Sequence, residues 1–157
     1  MSEVDDALLD RPFVFRERPI STTGDLRPVW RVPLVLLLVS SCRGERATHE
    51  QLHVLNWAVR SAASAEALAK FLSGTVRPDQ AVVRFEPALD RAVALAHGFK
   101  LLQWKGKYWE ITEGGRATLE ALRSEPDALA DEKVLLSQMP GALSQAAVSR
   151  LLGGVSQ

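Results

Sequence analysis

Phe99-Lys100-Leu101-Leu102-Gln103-Trp104-Lys105-Gly106-Lys107-Tyr108-Trp109-Glu110-Ile111-Thr112-Glu113-Gly114-Gly115-Arg116 is the stretch on which the fold turns. Residues 99–104 alternate enough to form a strand, and residues 107–111 form its return. Lys105-Gly106 is the tight turn between them, with glycine supplying the positive φ that short hairpins favour. Thr112 then stands where a helix N-cap is needed, opening a helix through Leu122.

Upstream of the hairpin the apolar spacing switches to the helical period. Pro87 opens a helix to about His97, with Leu89, Val93 and Ala96 on one face and Gly98 as its stop. Before it, Val82-Val83-Arg84-Phe85 reads as a short strand. A helix over 64–73 turns Leu68, Phe71 and Leu72 inward and ends at Gly74. Another spans 48–60, with Thr48 and Gln51 matching a capping box and Leu52, Leu55 and Val59 at helical spacing. The core begins at Trp30. Pro33 suits the first turn of a helix, residues 34–39 are apolar all round, and Arg43-Gly44-Glu45-Arg46 is a polar turn with Gly44 as the helix stop. The order predicts an α+β chain, mostly α. Its expected form is a winged helix-turn-helix, a trihelical core with a β-hairpin wing after the helix in the recognition position.

The flanks complete the organisation. Residues 1–26 are expected to form an N-terminal arm, with Phe13-Val14-Phe15 as a short strand or clip. Residues 27–124 make the winged-helix domain, and 125–157 a helical tail. The tail predicts helices over 127–138 and 144–152, split by Pro140-Gly141. Its stripe of Val148, Leu151 and Leu152 packs on the domain, or serves a partner or a second copy of the chain.

Composition narrows the function. Lys+Arg and Asp+Glu number 19 each in 157 residues, so the chain has no net charge. Proteins that coat nucleic acid take most of their affinity from phosphate contacts and carry a basic excess; any such role here needs a local patch. Cys42 is the only cysteine, which suits a reducing compartment. No signal-peptide pattern opens the chain, and the longest apolar run is far short of the roughly 20 residues of a membrane span. A cytoplasmic location is expected.

The helix from Glu86 to His97 carries one base, Arg91, against Glu86 and Asp90, and is rich in alanine. Base edges are read by Arg, Lys, Asn and Gln, so this helix suits a protein partner. Glu86, Asp90, Arg91, Ala94 and His97 are the expected partner-binding residues. Lys100, Lys105 and Lys107 are the residues placed to touch a DNA backbone weakly.

His49-Glu50-Gln51-Leu52-His53 matches H-E-x-x-H, the spacing that sets two zinc ligands on one helix face with a glutamate as general base. The match starts in the first helical turn, and a third ligand has to come from elsewhere; His97, Glu66 and Glu86 are the conceivable sources. No metal site, cofactor or catalytic residue is expected, and zinc peptidase chemistry stays a remote alternative. A winged-helix transcriptional regulator is the nearer one.

Four segments together resemble a known family. They are Arg27-Pro28-Val29-Trp30-Arg31-Val32-Pro33-Leu34-Val35-Leu36-Leu37-Leu38, Gln51-Leu52-His53-Val54-Leu55-Asn56-Trp57-Ala58, Arg84-Phe85-Glu86-Pro87-Ala88-Leu89-Asp90-Arg91-Ala92 and the junction Tyr108-Trp109-Glu110-Ile111-Thr112-Glu113-Gly114-Gly115-Arg116. Over residues 27–122 the chain is similar to the small middle component of bacterial ABC three-component systems. The resemblance implies a non-catalytic winged-helix adaptor that accompanies an SMC-like or RecN-like ABC ATPase and a third component. It implies a role in defence against phage and other mobile DNA.

Overall fold

The computed structural model describes residues 27–75, 77 and 83–153, with only the backbone described for 27–30. The arm over 1–26, including Phe13-Val14-Phe15, lies outside the described residues. The fold is α+β and mostly helical. Among the described residues there are seven helices and one three-stranded antiparallel sheet. The helices are α1 (Arg27–Ser41), α2 (His49–Ala58), α3 (Ala62–Leu72), α4 (Pro87–Gly98), α5 (Glu113–Ser124), α6 (Ala130–Ser137) and α7 (Gln145–Gly153). The strands are β1 (Arg46–Ala47), β2 (Leu102–Lys105) and β3 (Tyr108–Ile111), in sheet order β1-β3-β2.

α1 is the centre. A helix apolar around its whole circumference has to be surrounded, and Val32, Val35, Leu36, Leu37, Leu38 and Val39 are all buried. It packs most extensively on α4, and also on α5, α2 and β3. Pro33 is not in its first turn. The helix begins at Arg27, so Pro33 is the seventh residue, where it has no N–H to offer the carbonyl of Val29, four residues back. No helix among the described residues is long and apolar enough to cross a membrane.

α2 starts as its local sequence dictates. Thr48 Oγ1 accepts the Gln51 N–H at 3.2 Å, and Gln51 Oε1 accepts the Thr48 N–H at 2.8 Å. This reciprocal box satisfies two helix-end donors. Gln51 also donates its amide to the carbonyl of Leu143 at 2.8 Å, so the same side chain ties the tail to the start of α2. Leu52 and Leu55 point into the core, followed by Val59 just past the helix end. Ser61 caps α3, accepting the Ser64 N–H, and sends Leu68 and Phe71 inward.

The third strand is not where the sequence pattern puts it. Residues Val83, Arg84 and Phe85 have no regular structure. Instead Arg46, expected to end a polar turn, and Ala47 after it pair with β3, Arg46 opposite Glu110 and Ala47 opposite Trp109. Gly44 adopts φ +74 just before this strand, three residues beyond Ser41, the last residue of α1. Ala47 is fully buried, so this short strand closes the sheet over the core.

α4 also ends differently from expectation. Gly98 is its last helical residue, Phe99 the cap, and Lys100 takes the left-handed conformation at φ +60. Lys100 N–H donates to the carbonyl of His97 and Leu101 N–H to that of Ala96. Those two bonds are the Schellman pattern, in which glycine more often holds the left-handed position. The first strand of the hairpin consequently starts at Leu102 and not at Phe99. The turn residues are Gly106-Lys107, between the paired Lys105 and Tyr108. Gly106, at φ +65, stands first of the two, the place glycine takes in a II′ turn.

The hairpin returns into α5, where Thr112 Oγ1 accepts the Gly115 N–H at 3.1 Å. α6 is shorter than the pattern over 127–138 implies, because residues 127–129 form a turn with Leu129 at φ +50. α7 packs on α2, and Leu143, Ala147, Val148 and Leu151 join the same core as α1. The tail stripe is thereby spent on the body of the molecule.

Candidate interaction surface and histidine cluster

α4 presents two different faces. Leu89, Ala92, Val93 and Ala96 recur at helical spacing and are buried, which fixes the helix against α1. The opposite side leaves Asp90, Arg91, Ala94 and His97 exposed. Beyond its end, Phe99 is 58% exposed, and Trp104 on β2 is 48% exposed. Trp104 lies opposite Trp109 in the hairpin, their rings 4.9 Å apart, and His97 meets the edge of Trp109 at 5.3 Å. An aromatic row thus runs from the end of α4 onto the hairpin. Aromatic side chains with a wet edge are what protein interfaces favour at their centre.

The five residues expected to bind a partner separate in space. Arg91 and Ala94 point outward, and His97 belongs to the aromatic row. Glu86 turns inward: its carboxylate meets Arg31 of α1 at 2.8 Å through Oε2, and Arg60 through Oε1. Asn56 of α2 adds a long hydrogen bond of 3.5 Å to the same Oε2. Glu86 therefore fastens the start of α4 to α1 and α2.

Asp90 turns toward α2. His49 and His53 lie one turn apart, and His53 Nε2 approaches Asp90 Oδ1 at 2.7 Å while His49 Nε2 approaches it at 3.0 Å. His53 is 1% exposed. Its other ring nitrogen, Nδ1, accepts the Glu86 N–H at 3.3 Å, which assigns the proton to Nε2 and makes the Asp90 contact a donated hydrogen bond. Phe85 stacks on the same ring at 4.2 Å, nearly parallel. Burial holds the His53 pKa below the usual histidine value, opposed by the hydrogen bond and charge of Asp90.

Asp90 is the member of this cluster that sequence reasoning missed. His97, Glu66 and Glu86 were the conceivable third groups; Glu86 is committed to the two arginines, Glu66 pairs with Lys70 and His97 with Trp109. The signal for Asp90 is weak in the sequence. It lies 37 residues from His53, and only the packing of both α4 and α2 on α1 brings them together.

The three expected DNA-contacting lysines have unequal freedom. Lys105 pairs with Glu110 at 3.5 Å, and Lys107 sits over the Tyr108 ring at 5.3 Å. Lys100 is exposed, and its backbone carbonyl accepts the Thr112 hydroxyl. On the far side of the sheet, a cleft of about 600 Å³ is lined by Arg43, Arg46, Arg116 and Gln51. Arg116 is paired with Glu45 there, and Arg46 lies over Tyr108. Cys42 is buried, and burial raises its thiol pKa to about 11, so it is a packing group and not a nucleophile.

No family model, no curated protein and no solved structure matches this chain.

Proposed function

We propose that the protein is a winged-helix adaptor, a non-catalytic subunit that holds other proteins of an assembly together. The strand after the first helix, Arg46-Ala47, pairs with the return strand of the hairpin, and helix α2 follows it. Helix, strand, helix, helix and then a hairpin sharing one sheet is the chain order a winged helix needs, with α4 inserted just before the wing. This supports the fold expected from the sequence.

One observation carries the adaptor role. The surface of α4 and the hairpin offers exposed Phe99, Trp104 and Ala94, while the two carboxylates of the helix and its cap are tied up within the molecule. Asp90 and Glu86 are held by His49, His53, Arg31 and Arg60, and Arg91 is the lone outward base of the helix. A helix so furnished reads no base pairs but fits an apolar protein surface. Weak DNA contact through Lys100 is compatible with it. The partner class follows from the family resemblance: an SMC-like or RecN-like ABC ATPase, with a third component, in cytoplasmic defence against phage or mobile DNA.

The test is recovery of the tagged chain from its native cells at low and high salt, read by mass spectrometry. We expect an SMC-like ATPase to be retained at high salt and lost with Ala94→Arg, which places a long cation on the proposed contact face without touching the core. Recovery of the protein alone, or of nuclease-sensitive DNA only, sinks the adaptor role in favour of a DNA-binding regulator.

A further inference from the structure

We propose that His49, His53 and Asp90 bind a single zinc ion between α2 and α4. Each of the three side chains offers one ligand atom, and these atoms all lie within 4.8 Å of one another; His49 Nε2 and His53 Nε2 stand 3.0 and 2.7 Å from Asp90 Oδ1. Zinc takes imidazole nitrogen and carboxylate oxygen at about 2.0–2.2 Å, so ligand atoms in a tetrahedral site stand roughly 3.3 Å apart. The carboxylate–imidazole separations of 2.7 and 3.0 Å have to open by only a few tenths of an ångström. Two histidines four apart on one helix supply two corners with little freedom to lose. Asp90 supplies the third from a neighbouring helix that is already packed in place.

Exposure distinguishes the ligands. His53 is buried beneath Phe85, whereas the His49 and Asp90 side chains are 41% and 49% exposed. The site is thus walled by protein below and open above, leaving the fourth position to water. Two nitrogens and one carboxylate oxygen suit a borderline divalent ion better than calcium or magnesium, which prefer oxygen alone.

Zinc also demands one rearrangement. With the metal on Nε2, the ring proton of His53 has to sit on Nδ1, where the Glu86 N–H now points. That amide has to turn away, and it belongs to the irregular segment leading into α4. Binding therefore shifts Phe85 and Glu86 as it ties α2 to α4.

The site binds metal without being a peptidase centre. Glu50, the general base of the H-E-x-x-H pattern, lines a separate cleft with Gln145, Val148 and Ser149 of α7. It lies round the helix from the face on which the histidines meet Asp90.

The experiment uses the full, untagged chain freed of metal by a chelator and titrated with zinc chloride, followed by native mass spectrometry and calorimetry. We expect one zinc per chain and a melting temperature that rises with zinc. Asp90→Asn and His49→Gln alter half-exposed side chains, so both variants keep the far-ultraviolet spectrum of the parent. Each is expected to weaken zinc binding by about tenfold or more and to abolish the rise in melting temperature. Absence of stoichiometric zinc on the parent chain overturns the proposal, as does binding that neither variant alters.

Discussion

At the scale of single residues, Gly115 has the least freedom to change. It stands in the first turn of α5, directly behind the hairpin, and a Cβ built there falls 2.1 Å from the carbonyl oxygen of Leu101 and 2.8 Å from Ile111 Cγ2. The nearer obstacle is backbone and cannot swing aside. That same carbonyl accepts the Thr112 N–H at 3.1 Å, so moving it breaks the joint between hairpin and helix. Gly115→Ala is expected to cost about 1–3 kcal/mol, as overpacking against fixed backbone does. Urea denaturation checks this, with a lowered midpoint at unchanged slope. Gly114 is the internal control, because its Cβ meets nothing closer than 3.7 Å.

Elements are decided by where they stop as much as by where they pack. α4 runs through Gly98 and stops two residues later on a lysine in the left-handed region. A lysine there bears a steric cost of about 1 kcal/mol that glycine avoids. Lys100→Gly is expected to raise the thermal midpoint by a few degrees, corresponding to a gain of up to about 1 kcal/mol. A fall in the midpoint contradicts the cap as drawn. The same position shows what a sequence can convey. Thr48 with Gln51, Ser61 before Ala62 and Thr112 before Glu113 are caps set by neighbours within three residues, and the side chains at these helix starts make the cap bonds. Of these, the Thr48 box and the Thr112 cap were legible directly from the residues. Gly98 is the natural local candidate for the left-handed stop, but it stays helical and that place falls to Lys100, because Lys100 and Leu101 donate to the carbonyls of His97 and Ala96 and the Leu101 carbonyl is tied to the Thr112 N–H.

Longer-range pairings were not legible at all. Val82-Val83-Arg84-Phe85 has strand composition, yet its described residues make no ladder, and Phe85 is used as a lid on His53. Arg46-Ala47 has no strand pattern and is a strand only because Trp109 and Glu110, far along the chain, pair with it. Asp90 likewise joins His49 and His53 through helix packing. A two-residue strand and a three-residue cluster carry no periodicity for a local pattern to register.

At the scale of the whole molecule, the tail is part of the core. Leu143, Val148 and Leu151 are each under 5% exposed. Burying such side chains is worth about 1.5–3 kcal/mol apiece, against a net stability of about 5–15 kcal/mol for a domain. Gln51 adds a hydrogen bond to the Leu143 carbonyl. A chain ending at Met139 is therefore expected to melt at least about 10 °C lower than the full chain, or to show no cooperative transition. Calorimetry decides it: an unchanged midpoint means that α7 is an appendage and that Leu52 and Leu55 close the core unaided.

The central position of α1 has a consequence for how the protein is made. Among the described residues α1 comes first along the chain, yet most of its covering comes from α4, β3 and α5, which end at Ser124. At synthesis rates of about 5–20 residues per second, that delay is of order ten seconds. Throughout it, a greasy helix has little more than α2 to lie against, and α1 is the described segment most in need of shelter during synthesis.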